Sequence, residues 1–208
     1  MLTPKWEELA GKLKNTVKVA YVDTEAGPTP SSVGQIKGTP TIKAFVPRRT
    51  SARNEKQVVD YDQAREVQDL IRFATSRMPN FVETVADDAA LTALEVKAAE
   101  WRLPLVLAFS NKVGQTSTTL KALSAEYRRR VLLGELRMQK HAMAVARHSV
   151  RSFPTLVCIG VHQEEVARFE KKEASYRRLD TFISKCALRK PVLKKPDIGG
   201  SPPTKQEL

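Results

Sequence analysis

Cysteine is nearly missing from this chain: among 208 residues only Cys158 and Cys186 occur. Two thiols so far apart in sequence make no Cys-x-x-Cys turn and no four-sulfur metal site. Long apolar runs are missing too. No stretch approaches the ~18 apolar residues of a membrane-spanning helix, so no membrane span is expected. The start shows no basic segment followed by an apolar run and a small-residue cleavage site, so no signal peptide is visible there. Glycine numbers 9, with no phosphate-cradling loop, and no Ser-His-Asp logic is apparent. Of the three histidines, His141 and His148 lie seven apart and His162 sits in the turn GVHQEE. No carboxylate or cysteine at ligand spacing completes a metal site around them. No metal or other cofactor is expected.

Acidic residues are also in deficit. Lys and Arg total 35 against 23 Asp and Glu, a net charge of +12. Residues 1–86 carry 13 basic and 10 acidic groups (+3), and residues 87–208 carry 22 and 13 (+9). Much of the excess lies in YRRR (Tyr127 to Arg130), in Arg177 and Arg178, and in LRKPVLKK near the end. Such a surface could attract RNA or an anionic membrane. Yet aromatics are only 6% and no RNA-binding signature appears. The reading is a solvated basic surface with no nucleic-acid partner.

What is present is a repeat. KGTPTIKAF around Pro40 returns 114 residues later as RSFPTLVCI around Pro154. The same offset places LAGKLKN (Leu9 to Asn15) over LSAEYRR (Leu123 to Arg129), and VKVAYVD (Val17 to Asp23) over VLLGELR (Val131 to Arg137). An ordered series of helix, strand, short helix and X-Pro-Thr-apolar strand argues for two copies of one α/β unit. The length suits two domains of about 100 residues each. Hydrophobic content of 41% and charged content of 28% are those of a globular protein.

The first copy reads as helix 3–14, strand 17–23, a loop and short turn to Gln35, strand 41–46, strand 57–60 and helix 62–76 with Asp62 as N-cap. The polar stretch Arg48 to Glu55 suits a hairpin loop. The second copy reads as strand 81–85, helix 87–100, strand 104–110, helix 118–128, strand 131–137, helix 139–148, strands 155–160 and 165–169, and helix 173–187. Moved back by the offset, the buried strand Leu105 to Phe109 would fall before the first residue. The first copy is therefore expected to lack its first strand, first helix and the strand after them. Its remaining strands Val17, Val19, Tyr21, Ile42 and Phe45 should be more exposed than Leu132, Leu136, Leu156 and Ile159.

At this point the residues resemble a family. LTPKWEELAGKLKNTVKVAYVD, IKGTPTIKAF and YDQAREVQDLIRFAT are similar to the back part of a catalytic thioredoxin-like domain of the protein disulfide isomerase family. LPLVLAFSNK, TLKALSAEYRRRVLLGELR and SFPTLVCI resemble the redox-inactive thioredoxin-like domain that follows in that family. The resemblance implies an α/β fold of tandem thioredoxin-like domains, the first incomplete at its N-terminus. The domains would be 1–78, 79–188 and a flexible basic tail, 189–208. In such domains a Cys-x-x-Cys turn precedes an L-x-P-x-W-E-type helix, here Leu2, Pro4, Trp6 and Glu7, so the pair would lie upstream of Met1. The matching turn of the second copy, Asn111 to Thr116, holds no cysteine, so no catalytic residue is assigned.

The resemblance also implies that Thr39 and Pro40 form a cis-proline loop presenting backbone to extended substrate, with Pro154 a structural cis-proline. It implies unfolded or disulfide-bonded polypeptides as substrates, in oxidative folding in the endoplasmic reticulum. The alternative is a non-catalytic thioredoxin-like chaperone or adaptor. The last residues, Lys205, Gln206, Glu207 and Leu208, resemble a lumenal retention address read by a receptor. Cys158 lies in an apolar strand and Cys186 on the last helix. General burial statistics favour free, buried thiols, although a Cα separation under about 7 Å would permit a bridge.

Overall fold

A computed structural model describes residues 2–48, 55–111, 114–137, 141–162, 164–170 and 173–195. In chain order its elements are α1 (Thr3–Lys12), β1 (Ile42–Pro47), β2 (Lys56–Tyr61), α2 (Val67–Ser76), β3 (Glu83–Val85), α3 (Asp88–Glu100), β4 (Leu105–Ser110), α4 (Thr118–Glu126), β5 (Leu132–Arg137), α5 (Ala142–Arg147), β6 (Thr155–Ile159), β7 (Glu165–Phe169) and α6 (Tyr176–Cys186). Two compact units result: Met1–Phe81 with Gln115–Glu126, and Val82–Gly114 with Tyr127–Leu208.

The first unit packs two helices on a hairpin. Pro4 stands in the first turn of α1, where its missing N–H costs nothing. Leu2, Trp6, Leu9 and Leu13 then recur at helical spacing and face a core of Ile42, Tyr61 and Leu70. β1 and β2 pair antiparallel from Ile42↔Tyr61 to Pro47↔Lys56. Segment 115–126, which carries α4, groups with this unit, and the Phe81 amide donates to Ser124 Oγ at 3.2 Å.

Three expectations for this unit need correction. Val17 to Asp23 is not a strand. Val17 and Val19 lean on the core, but no neighbouring strand offers a ladder, and Tyr21 is 84% exposed. α2 starts at Val67 after Glu66, not at Asp62, and no side chain caps it. Residues 62–66 are otherwise engaged: the Tyr61 hydroxyl donates to the Ala64 carbonyl, and Arg65 reaches across to Pro40. Ile42 is buried, because α1 and α2 cover the start of β1, whereas Leu132 in the second unit is only half-buried.

The second unit is built on a mixed sheet of five strands in the order β3-β5-β4-β6-β7. β3 and β4 run parallel to β5, while β6 is antiparallel to β4 and β7. The apolar run Leu105 to Phe109 lies at its centre and is buried on both faces, as a central strand must be. Leu105, Leu107 and Phe109 share one face with Leu91, Leu94 and Ala98 of α3. Asp87 caps α3 by accepting from the Ala90 amide at 2.8 Å. At Gly134 α3 lies close over β5: a Cβ there would come within 2.6 Å of Leu94 Cδ2, so a larger residue would displace the Leu94 side chain.

The offset of 114 reappears in backbone detail. Asn15 and Arg129 both have positive φ, 70° and 62°. The amides of Thr16 and Val17 bond to the Leu13 carbonyl, and those of Arg130 and Val131 bond to the Tyr127 carbonyl. One helix exit is thus used twice. The last strand and helix of each unit repeat a ring contact, Tyr61 on Phe73 at 4.8 Å and Phe169 on Phe182 at 5.8 Å.

Candidate functional site

The turn Gly38-Thr39-Pro40-Thr41 enters β1 of the first unit. Its Thr39–Pro40 bond is cis and all four residues are exposed. The Thr41 hydroxyl closes the turn by donating to the Gly38 carbonyl. Arg65 fixes it from outside, with Nη2 donating to the Pro40 carbonyl at 3.1 Å. A guanidinium bonded to a carbonyl keeps its charge, so a cation stands beside an exposed backbone. Thr39 points no side-chain hydrogen bond at a neighbour among the described residues. Backbone held this way can present its polar groups to an extended chain running beside it.

The second unit repeats the turn in a different setting. Phe153–Pro154 is also cis, and the Thr155 hydroxyl donates to the Ser152 carbonyl at 2.7 Å. Here, however, Thr155 is fully buried, Phe153 and Pro154 are half-buried, and Phe153 packs on the core. Equivalent backbone is thus open in one unit and packed in the other. Sequence reasoning found both prolines but missed Arg65. Its clamp spans 25 residues and follows no local spacing.

The cysteines correct a further expectation. Cys158 and Cys186 are not free thiols; they form a disulfide with a Cα separation of 6.2 Å. The bridge joins the fully buried middle of β6 to the last residue of α6. β6 lies in the sheet that α6 crosses, which brings together residues that no spacing rule pairs. The retention-like residues Lys205, Gln206, Glu207 and Leu208 lie outside the described residues, as does most of the hairpin loop after Arg48.

His141 and His148 stand at the two ends of α5, both buried. His141 Nε2 lies 2.9 Å from the Val85 carbonyl. His148 packs its ring against Phe109, and its Nδ1 lies 3.9 Å from Glu165 Oε2. Burial pushes the His148 pKa below its ordinary value, and Arg147 adds to this, against the opposing pull of Glu165 and Glu95. Among the described residues no group of His, Cys, Asp and Glu could hold a metal ion.

The family model described as Thioredoxin matches residues 1–76. Fold and sequence together define a thioredoxin-like protein. Protein disulfide isomerase-like 2-3 of Oryza sativa is 42% identical over 77 residues, covering 37% of this chain and 16% of that protein. Protein disulfide-isomerase 2-3 of Arabidopsis thaliana is 26% identical over 214 residues, covering 88% of this chain and 46% of that protein. A solved structure of ERdj5 covers 88% of this chain and 24% of its own at 14% identity and a TM-score of 0.49. Over most of its length the chain is similar to proteins named protein disulfide isomerase. It spans less than half the length of these relatives.

Proposed function

We propose that this chain binds unfolded polypeptides in the endoplasmic reticulum, as part of oxidative protein folding, through the Thr39–Pro40 loop and without performing dithiol exchange itself. The observation that carries the reading is the contrast between the two turns. The first is exposed, closed by Thr41 and held by Arg65, while in its counterpart Phe153 and Pro154 are half-buried and Thr155 is fully buried. Exchange needs a thiolate, and a pair of thiols to release the mixed disulfide. The chain has two cysteines, and both are consumed in one bridge. The lumenal location draws on the family and on the retention-like Lys205 to Leu208. The two thioredoxin-like units are assigned to residues 1–78 and 79–188.

Fluorescence titration of a labelled, reduced and unfolded polypeptide tests the loop. Thr39→Asp places a charge on an exposed side chain without opening the core. It is expected to weaken binding by at least about fivefold, of the order of one lost polar contact. Ser152→Asp on the second turn should leave binding unchanged. Equal affinity for Thr39→Asp and the parent would remove the loop from the reading.

A further inference from the structure

The structure brings together two basic segments that lie far apart in sequence. Residues 187–195 run as a strap along the turn that leads into β5. The Leu188 amide donates to the Arg130 carbonyl at 2.9 Å, and Arg130 Nε returns a bond to the Leu188 carbonyl at 2.6 Å. The Val192 amide donates to the Arg129 carbonyl at 2.8 Å, and Arg129 Nη1 donates to the Leu193 carbonyl at 2.8 Å. These four bonds hold Arg129 and Arg130 against Arg189, Lys190, Lys194 and Lys195.

The charge of this cluster is not neutralised. The two arginines bond to carbonyls, which carry no counter-charge. Lys195 meets Glu100 at 3.0 Å, an exposed pair of little strength. Arg189, Lys190 and Lys194 are exposed and have no acidic partner among the described residues. Between them Leu193 stands 56% exposed, its carbonyl fixed by Arg129. A nucleic acid would gain from an open aromatic face. The ring beneath Arg130 is Tyr127, which is buried, with its hydroxyl bonded to Asp180 at 2.7 Å. Cations around a projecting aliphatic side chain suit a lipid headgroup layer, where charge meets phosphate and Leu193 enters the acyl boundary.

We propose that this strap is a docking surface for an anionic phospholipid bilayer. The idea is independent of the cis-proline loop and needs no spanning segment. The full chain is tested by co-sedimentation with vesicles of phosphatidylcholine alone and of phosphatidylcholine with roughly a third phosphatidylserine. Binding should require the anionic lipid and fall with salt. Each cation near such a surface contributes on the order of fivefold, so R189Q/K190Q/K194Q should lose on the order of 100-fold in affinity. Leu193→Ser should lose several-fold by removing apolar area, about that of half a leucine side chain. K14Q/K18Q, on exposed lysines of the first unit, should bind as the parent does. Equal binding to neutral vesicles, or an unchanged triple variant, overturns the proposal. So does tighter binding of an RNA oligonucleotide or a polyglutamate peptide with no effect of Leu193→Ser. Perturbation of residues 188–195 by inorganic phosphate without vesicle binding would assign the site to a free anion instead.

Discussion

Cys158 and Cys186 close a sequence separation of 28 residues between the sheet core and the terminal helix. Cross-linking a loop of that length removes chain entropy from the unfolded state, and the loop-closure relation gives about 3–4 kcal/mol. Cys186→Ser should therefore lower the urea stability of the second unit by about 3 kcal/mol under non-reducing conditions, and should change nothing once both proteins are reduced. An equal midpoint before and after reduction of the parent would show that the bridge does not stabilise the unit. His148 sets a second expectation. Its folded pKa is lowered from 6.5, by burial first and Arg147 second. A folded group that binds fewer protons than the unfolded one lends stability that is complete above the unfolded value of about 6.5 and is lost as pH falls below it through the lower folded value. His148→Phe should flatten the fall in denaturation midpoint between pH 7.5 and 5.5. Parallel curves for variant and parent would place the acid sensitivity elsewhere.

Elements were legible where pattern alone decides them. The apolar run Leu105 to Phe109 reads as a central strand, and Asp87 ahead of an apolar-periodic segment reads as a helix start; both are so in the fold. Val17 to Asp23 lies over Val131 to Arg137 at the repeat offset, yet a strand exists only with a partner, and partners are not written in the segment itself. At Gly134 the side chain of Leu94 from α3 lies close over the strand; the equivalent position in the first unit is Ala20, which is exposed. α2 began five residues later than its composition suggests because the contacts of Tyr61 with the Ala64 carbonyl and of Arg65 with the Pro40 carbonyl engage the preceding segment outside the helix. The Arg65 clamp and the cysteine pairing were hidden for the same reason: each joins groups that only the fold brings near. β1 has one ladder partner and 17–23 has none, whereas β4 has two and is buried from Leu105 to Phe109. Amide exchange should thus release residues 17–23 and 42–47 well before 105–110 and 132–137. Equal protection of both sets would mean that the first unit completes its sheet in some other way.

Across the whole molecule, one α/β unit is used twice with different outcomes. Helix exits, threonine-closed turns and ring contacts recur, so the repeated unit was legible from sequence. The two turns differ in what surrounds them: the first is exposed throughout and the second is partly packed against the core, and that difference was not legible, since both carry the same Pro-Thr phrase. The account joins the exposed Thr39–Pro40 turn to a chain whose two cysteines are tied in one bridge. Insulin reduction by the purified chain, followed with a small dithiol as electron source, tests this most directly. The account predicts a rate equal to the uncatalysed background, for the parent and for Cys158→Ser and Cys186→Ser alike. Turnover above background that either substitution abolishes would contradict it, because it would show the bridge acting as a redox centre.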